Sequence, residues 1–203
     1  MPQHYPRLVV GISGASGIIY GVRLLQMLQD LPVESHLVMS RSAEVTLAYE
    51  TDLKVADVKN LADQVYGNDD LAAAVSSGSF KTMGMVVAPC SVKSLAEIAS
   101  GVAGSLLARA ADVTLKERRR LVLLVRETPL TTGHLRSMVA VSEMGGIIAP
   151  PVPAFYARLE SLDQMVMQTV GRVLDLFHLD APGVERWGEG IGKGVGKKIR
   201  VDR

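Results

Sequence analysis

The chain has 203 residues, of which 48% are hydrophobic and 4% aromatic, and its formal net charge at pH 7 is +1. That charge gives no electrostatic footprint for nucleic acid, and no stretch reaches the roughly 18–20 apolar residues that cross a membrane. The single cysteine, Cys90, excludes an internal disulfide and a cysteine-only zinc site, and the four histidines lack metal-ligand spacing. The composition therefore predicts a cytoplasmic α/β protein without a metal site.

The carboxyl-terminal end differs in composition from the rest of the chain. Glycine occupies positions 188, 190, 192, 194 and 196, and five Lys and Arg residues lie among and after them. Alternating glycines leave the backbone unconstrained. We expect one globular domain over residues 1–187 and a flexible tail over residues 188–203.

Short apolar runs alternate with helical patterns along the predicted domain. The runs predict strands at Arg7–Ile12, Glu34–Met39, Gly84–Ala88, Leu121–Val125 and Gly146–Ala149. The patterns predict helices at Ile18–Gln29, Ser42–Glu50, Val55–Val65, Ser94–Ser100, Ser105–Lys116, Thr132–Met144 and Ser161–His178. Residues 69–79 are expected to form a connector. The alternation is typical of a Rossmann-like, three-layer, doubly wound and mostly parallel sheet with helices on both faces.

The first predicted strand runs into three glycines at a three-residue spacing. Gly11 would allow a tight exit from the strand, Gly14 a close approach of the backbone to a ligand, and Gly17 packing of the next helix on the sheet. Ser13 and Ser16 add hydroxyls beside the N–H groups of a helix start, which favour an anion. The turn predicts a phosphate-bearing ligand, although a packing turn in any α/β protein can carry the same spacing.

Hydroxyls and cations follow the other predicted strands as well. Ser40 comes after the second strand, the turn Ser91–Ser94 after the third, and Arg126 with Glu127 after the fourth. The carboxyl ends of parallel strands share one edge of a sheet, where such folds bind ligands. A dinucleotide site would place an acidic residue at the position of Ser40. The pattern therefore favours a mononucleotide such as FMN over NAD.

Six motifs occur here in the same order as in the flavin prenyltransferases of the UbiX type: GISGASGIIYG, PCSVKSL, RAADVTLKERR, RETPL, PPVPAFY and QTVGRVLD. The chain resembles that family from about Arg7 to Trp187. The resemblance implies a single flavoprotein domain that transfers a dimethylallyl group to N5 and C6 of reduced FMN. It further implies that the product, prenylated FMN, serves a UbiD-type decarboxylase, and that the protein forms a large homo-oligomer, a dodecamer, with sites between subunits.

Matching the motifs residue by residue implies roles for particular side chains. The positions that resemble the FMN-binding residues of the family are Gly14, Ala15, Ser16, Ser40, Ser91, Val92, Lys93, Ser94 and Arg126. Those that resemble its substrate-binding residues are Arg109, Lys116, Arg126, Tyr156, Arg172 and, as an aromatic near the prenyl group, Trp187. The resemblance implies catalytic roles for Ser16, Glu50, Lys116 and Glu127. Many family members carry a tryptophan before the third strand, where this chain offers only Phe80.

The predicted chemistry explains why cations and a carboxylate are needed. An allylic phosphate ester ionises toward a carbocation, so Arg and Lys must stabilise the charge that grows on the phosphate oxygens. Asp69 and Asp70 form a lone acidic pair without a second cluster, which favours dimethylallyl monophosphate held by cations without metal. Closure of a new ring at C6 requires a base, for which Glu50 is the candidate.

Several of these residues have structural interpretations too. Arg118, Arg119 and Arg120 follow Lys116 in a charge run, and we expect these three arginines to face solvent. Cys90 is expected to be a packing residue. Three other functions remain open: an FMN-dependent decarboxylase of the same fold, a non-catalytic flavin carrier and, disfavoured by Ser40, a nicotinamide oxidoreductase.

Overall fold

The structure, a computed structural model, describes residues 5–188. The chain divides into two compact units, Met1–Pro151 and Val152–Arg203. All but the first residue of the predicted tail lies outside the described residues. Among those residues, no helix is both long and apolar enough to cross a membrane.

The first unit is a parallel sheet with helices between its strands. Its strands are β1 (Arg7–Ile12), β2 (Glu34–Met39), β3 (Gln64–Tyr66), β4 (Gly84–Cys90), β5 (Arg120–Val125) and β6 (Ile147–Ile148). Its helices are α1 (Ile19–Gln29), α2 (Arg41–Glu50), α3 (Val55–Lys59), α4 (Val92–Ser100), α5 (Leu106–Lys116) and α6 (Thr132–Glu143), with a 3₁₀ turn at Ala74–Ser76. In the second unit, a 3₁₀ turn at Phe155–Ala157 precedes α7 (Leu162–Asp175).

The six described strands are all parallel, in the order β3-β2-β1-β4-β5-β6. This confirms the predicted Rossmann-like α/β fold. The chain reverses its winding between β1 and β4, so the carboxyl ends of these two strands flank the topological switch point, where open α/β sheets bind ligands.

Helices cover both faces of the sheet. Val9 of β1 belongs to the hydrophobic cluster that includes α4 and α5, whereas Ile12 faces α1. Every residue of β4 is buried, which explains why this strand is a continuous apolar run. α1 approaches closely at Gly21, where a Cβ atom would lie 2.4 Å from the carbonyl oxygen of Ala88. The packing role predicted for Gly17 therefore belongs to Gly21.

The helix predicted at Val55–Val65 is wrong in its second half. α3 ends at Lys59, and the chain then turns and forms β3. Asp63 holds that turn, because its carboxylate accepts hydrogen bonds from the Ser35 backbone N–H at 2.7 Å and from the Ser35 hydroxyl at 2.8 Å. β3 is an edge strand, and pairing with β2 outweighs the local helical pattern.

His36 lies in the middle of β2 and is 1% exposed. Its Nδ1 is 2.9 Å from the Tyr66 hydroxyl, and its ring meets Phe80 edge-on with centroids 5.3 Å apart. Its Nε2 lies 3.3 Å from a Glu34 carboxylate oxygen, but without hydrogen-bonding geometry. Burial lowers the pKa of His36, and the opposing charge of Glu34 does not offset this effect.

This buried imidazole should make the stability of the protein depend on pH. Below the ordinary pKa of 6.5 the unfolded chain binds a proton that the folded chain does not yet bind, so the free energy of unfolding should fall as the pH drops. Denaturant titrations at pH 7.5 and 5.5 should show a smaller fall for His36→Gln than for the unmodified protein. The exposed His178 provides a control, and an equal reduction in His178→Asn would contradict the assignment to His36.

Candidate active site

The turn between β1 and α1 lies directly against the start of α2. A Cβ atom on Gly14 would lie 2.5 Å from both Cβ and Oγ of Ser42, so only glycine fits there. Ser40 begins α2: its hydroxyl accepts from the Ala43 backbone N–H at 3.1 Å, and its own N–H donates to the Ile12 carbonyl at 2.9 Å. The carboxyl ends of β1 and β2 are thereby brought together, as predicted for Gly14 and Ser40.

Glu50, the last residue of α2, caps the start of α1. Its carboxylate accepts hydrogen bonds from the backbone N–H of Gly17 at 2.8 Å and of Ile18 at 3.0 Å. Gly17 has a φ of +93°, which favours glycine and aims its amide at this carboxylate. The anion at these amides is therefore a protein carboxylate, and the phosphate predicted for this helix start does not have them available.

The surroundings of Glu50 keep it ionised. Burial acts to raise the pKa of the Glu50 carboxyl, but a hydrogen bond from Ser16, the Ile18 and Gly17 amides and the charge of Arg126 together hold it below the ordinary value. Ser16 itself is exposed beside the turn. The predicted catalytic pair Ser16 and Glu50 is thus in direct contact, with Arg126 close enough to act on Glu50.

Ser13 locks the ends of β1 and β4 together. It is 1% exposed, and its hydroxyl donates to the Pro89 carbonyl at 2.9 Å and accepts from the Ser91 backbone N–H at 2.7 Å. The predicted role of Ser13 as a donor to an anion is wrong, because both contacts are internal. The local sequence carries no signal that distinguishes the buried Ser13 from the exposed Ser16.

Ser91 begins α4, its hydroxyl accepting from the Ser94 backbone N–H at 3.2 Å. Val92 and Lys93 form the first turn of this helix, at the switch point. The Lys93 ammonium pairs with Glu97 at 2.7 Å, and the Lys93 side chain is 75% exposed. Residues 91–94 therefore reach the predicted edge mainly through hydroxyls and backbone.

Arg126 follows β5 at the same edge, and its backbone N–H donates to the Cys90 carbonyl at 3.1 Å. Its charge acts on Glu50 and on Tyr20, whose phenol pKa is raised by burial and partly lowered again by Arg126. Tyr20 was not predicted as a site residue. Its position in the first turn of α1, directly after the glycine turn, could have indicated that it lies near the carboxyl edge. The neighbouring Glu127 is exposed and accepts from the Thr128 backbone N–H at 3.0 Å.

Two predicted substrate-binding cations lie on α5. Arg109 donates to the Ser76 carbonyl at 3.2 Å and pairs with Asp112 at 2.7 Å. Lys116 ends α5 just before β5 begins, whereas Arg126 comes just after β5 ends. Six strand residues at about 3.3 Å each separate the two edges by roughly 20 Å. One chain therefore does not bring Lys116 together with Arg126.

The prediction that Arg118, Arg119 and Arg120 face solvent is correct only for Arg118. Arg119 is 16% exposed and donates to the carbonyls of Phe80 at 2.8 Å and Gly78 at 2.6 Å. Arg120 begins β5 and is half-buried. Phe80 packs at this amino edge of the sheet, with the Arg7 guanidinium 4.5 Å from its ring centroid.

The remaining predicted residues belong to the second unit. Tyr156 and Trp187 meet edge to face, with centroids 6.0 Å apart, and Trp187 is 65% exposed. Arg172 on α7 pairs with Asp175. The side-chain nitrogen of the buried Gln168 lies 3.5 Å from the Tyr156 hydroxyl and donates to the Glu185 carbonyl at 2.7 Å.

The residues gathered at the carboxyl edge suit a mononucleotide. They comprise the helix-capping serines Ser40 and Ser91, the Gly14 backbone packed against Ser42, and the cation Arg126. Within residues 5–188, no group of three or more His, Cys, Asp or Glu side chains is placed to hold a metal ion. Hydroxyls, backbone groups and a cation are donors that can bind a phosphate-bearing organic ligand.

Comparison with known proteins places this chain among the flavoproteins, whose family model matches residues 2–174. A flavin prenyltransferase UbiX from Escherichia coli is 58% identical over 177 residues, which cover 87% of this chain and 94% of that protein. AnUbiX, crystallised with FMN and dimethylallyl pyrophosphate, superposes with a TM-score of 0.89 at 53% identity, covering 91% of this chain and 98% of its own. A dodecameric FMN-dependent UbiX-like decarboxylase from Escherichia coli has a TM-score of 0.88 at 52% identity, covering 89% and 98%.

The chain therefore belongs to the flavin prenyltransferases of the UbiX type, within the flavoprotein family. The resemblance carried by the six motifs is confirmed. The roles of the individual residues stay predictions, which the contacts above make specific.

The fit of Gly14 against Ser42 can be tested directly. Gly14→Ala should force the β1–α1 turn away from α2, with a loss of stability of about 1–3 kcal/mol from overpacking and weakened ligand binding at this edge. Denaturant unfolding measures the first effect. Gly67→Ala is the matched control, since a Cβ there meets no atom within 4 Å. Equal stability of the two variants would contradict the close approach.

Proposed function

We propose that this protein is a flavin prenyltransferase that moves a dimethylallyl group from dimethylallyl monophosphate to N5 and C6 of reduced FMN and releases phosphate. Membership in the UbiX-type family is the observation that carries the proposal. Glu50, with Ser16 hydrogen-bonded to it and the charge of Arg126 acting on it, would supply the base and the cation that this chemistry needs.

FMN would lie at the carboxyl edge, against Gly14, Ala15, Ser16, Ser40, residues 91–94 and Arg126. Serine hydroxyls and backbone groups can hold a flavin and its phosphate, and Arg126 supplies a positive charge there. When bound and reduced, FMN supplies the nucleophilic atoms N5 and C6. Arg126, which follows β5 and whose charge acts on Glu50, would serve both ligands.

Ring closure would bond the tertiary carbon of the prenyl double bond to C6; the neighbouring prenyl carbon would gain a proton as that double bond is consumed, and C6 would lose one. Glu50 would take up the proton from C6. Its lowered pKa keeps it as a carboxylate at neutral pH, which is the form that a base requires. Ser16 donates to that carboxylate and would help to relay the proton. Glu127, exposed at the same edge, would be a further carboxylate of the site.

Cations would stabilise the phosphate as the allylic carbon–oxygen bond breaks and the electron pair passes to oxygen. We assign this role to Arg126, Lys116, Arg109 and Arg172, with Tyr156 as a hydroxyl donor. Trp187, edge to face with Tyr156, would offer π surface to the prenyl group. AnUbiX was crystallised with the pyrophosphate, so the choice of the monophosphate is a point for experiment.

Lys116 would act at the site of a neighbouring subunit. It lies at the amino edge of the sheet, roughly 20 Å from the carboxyl edge of its own chain. A related protein from Escherichia coli is a dodecamer, and a homo-oligomer of this kind can bring the two edges of different chains together. The product would pass to a UbiD-type decarboxylase, and we place the protein in the cytoplasm, where reduced FMN can be maintained.

The purified protein, given reduced FMN and dimethylallyl monophosphate without oxygen, should yield a flavin heavier by one isoprenyl unit, as measured by mass spectrometry. A parallel reaction with the diphosphate tests the donor and should give much less product. A flavin of unchanged mass with either donor would overturn the proposal and leave a flavin carrier or a decarboxylase.

Two inactive variants can test whether a site is shared between subunits. Glu50→Gln should form the bond from the prenyl group to N5 and then stall before ring closure, because the base is missing. Lys116→Ala should slow transfer by about 10²–10³ through the loss of one charge-stabilising donor. Subunits of the two variants, dissociated and reassembled together, should regain formation of the ring-closed product, followed by absorbance.

The same mixing with each variant alone is the control, and it should restore nothing. Activity of the mixed oligomer no higher than that of the parents would mean that Glu50 and Lys116 serve the same chain. It would leave the prenyl transfer itself in place.

A further inference from the structure

The end of α5 is closed by a Schellman turn built from charged residues. The Arg119 N–H donates to the Thr114 carbonyl at 2.9 Å and the Arg118 N–H to the Leu115 carbonyl at 3.0 Å. Arg118 has a φ of +57°, in the left-handed position usually given to glycine. The turn points Arg119 back toward the segment 78–80 and leaves Arg118 exposed.

Arg119 joins that segment to the helix end. Its guanidinium donates one hydrogen bond to the Phe80 carbonyl at 2.8 Å and another to the Gly78 carbonyl at 2.6 Å. Two bonds from one planar group hold both position and angle, which a lysine would not do. The same guanidinium lies 3.9 Å from a carboxylate oxygen of Glu117.

Glu117 links Arg119 to Lys116. One of its carboxylate oxygens contacts the Lys116 ammonium, while the other faces Arg119. Gly78 packs directly against this ion pair, because a Cβ atom there would lie 2.2 Å from the Glu117 carboxylate and 2.7 Å from the Lys116 nitrogen. The Lys116 side chain is 44% exposed, so its ammonium pairs with Glu117 and is still accessible to a ligand.

We propose that Arg119 is a positioning residue for Lys116: it ties residues 78–80 to the end of α5, so that Gly78 and Glu117 hold the Lys116 ammonium where a donor phosphate can meet it. The proposal rests on the proposed role of Lys116 in prenyl transfer. Arg119 does not touch substrate itself and acts through Glu117 and Gly78.

The charges of the three residues favour this arrangement. Glu117 alone would neutralise Lys116, whereas a carboxylate shared between two cations leaves the group with one net positive charge. The Lys116 hydrogen bond and charge lower the pKa of the exposed Glu117, which favours the carboxylate form at neutral pH. Without Arg119 the ammonium would be both less fixed and more fully paired.

A double-mutant cycle tests the proposal. Arg119→Met should lower kcat/KM for prenyl transfer about tenfold when Lys116 is present, because the ammonium is misplaced. In a Lys116→Met background the same change should have no further effect. The affinity for dimethylallyl monophosphate of enzyme carrying oxidised FMN, which cannot react, should follow the same pattern in calorimetric titrations.

Arg118→Met is the matched control. It removes one positive charge from the residue next to Arg119, and the Arg118 side chain is exposed. It should leave both quantities near those of the unmodified protein. Independent losses from Arg119→Met and Lys116→Met that multiply would overturn the proposal, as would an equal loss in Arg118→Met.

Folding of the variant is checked by its retention of FMN. Should Arg119→Met fail to fold, Glu117→Gln replaces it, because that residue lies at the surface and its change should also matter only when Lys116 is present. An unmodified protein that makes no prenylated flavin would reject the proposed function and this inference with it. An active protein with multiplicative losses would reject the inference alone.

Discussion

The hydrogen bonds from the Gly17 and Ile18 amides, just before α1, to the carboxylate of Glu50 form the contact on which the candidate site depends. A helix start leaves N–H groups without partners, and α1 has no side-chain cap of its own. Glu50 supplies the missing acceptor from the far end of α2, so two helices that begin at different strands are fastened at one point. Together with Ser16 and the charge of Arg126, those amides hold the pKa of the Glu50 carboxyl below its ordinary value.

The length of the strands imposes a second constraint. A parallel sheet gathers the groups that follow its strands at one edge and the groups that precede them at the other. At the carboxyl edge, Ser13 joins β1 to β4 and Gly14 packs against α2. At the amino edge, Arg119 binds the Gly78 carbonyl, and Gly78 packs against Lys116. A reaction that uses both sets of residues therefore requires more than one copy of the chain.

The prediction from sequence was accurate where a residue pattern has one physical meaning. Arg7–Ile12 and Glu34–Met39 were predicted to the residue. β1 is apolar after Arg7, as buried parallel strands usually are, whereas β2 is apolar only in its second half. β3 was missed because a three-residue edge strand has too few residues to outweigh a helical pattern, and its partner β2 is about 30 positions away. Arg119 was misplaced for a similar reason, since the carbonyls it binds lie 39 and 41 residues earlier.

The sequence by itself determined the fold class and the family, because glycine spacing, apolar runs and ordered motifs are local properties. Only the tertiary structure decided how the residues are used. In the structure, Glu50 in place of a phosphate binds the Gly17 and Ile18 amides, and Ser13 joins the ends of β1 and β4. Lys116 lies at the opposite edge of the sheet from Arg126. Those outcomes depend on which groups from distant segments meet in space, and hydrogen bonding between such groups leaves no pattern along the chain.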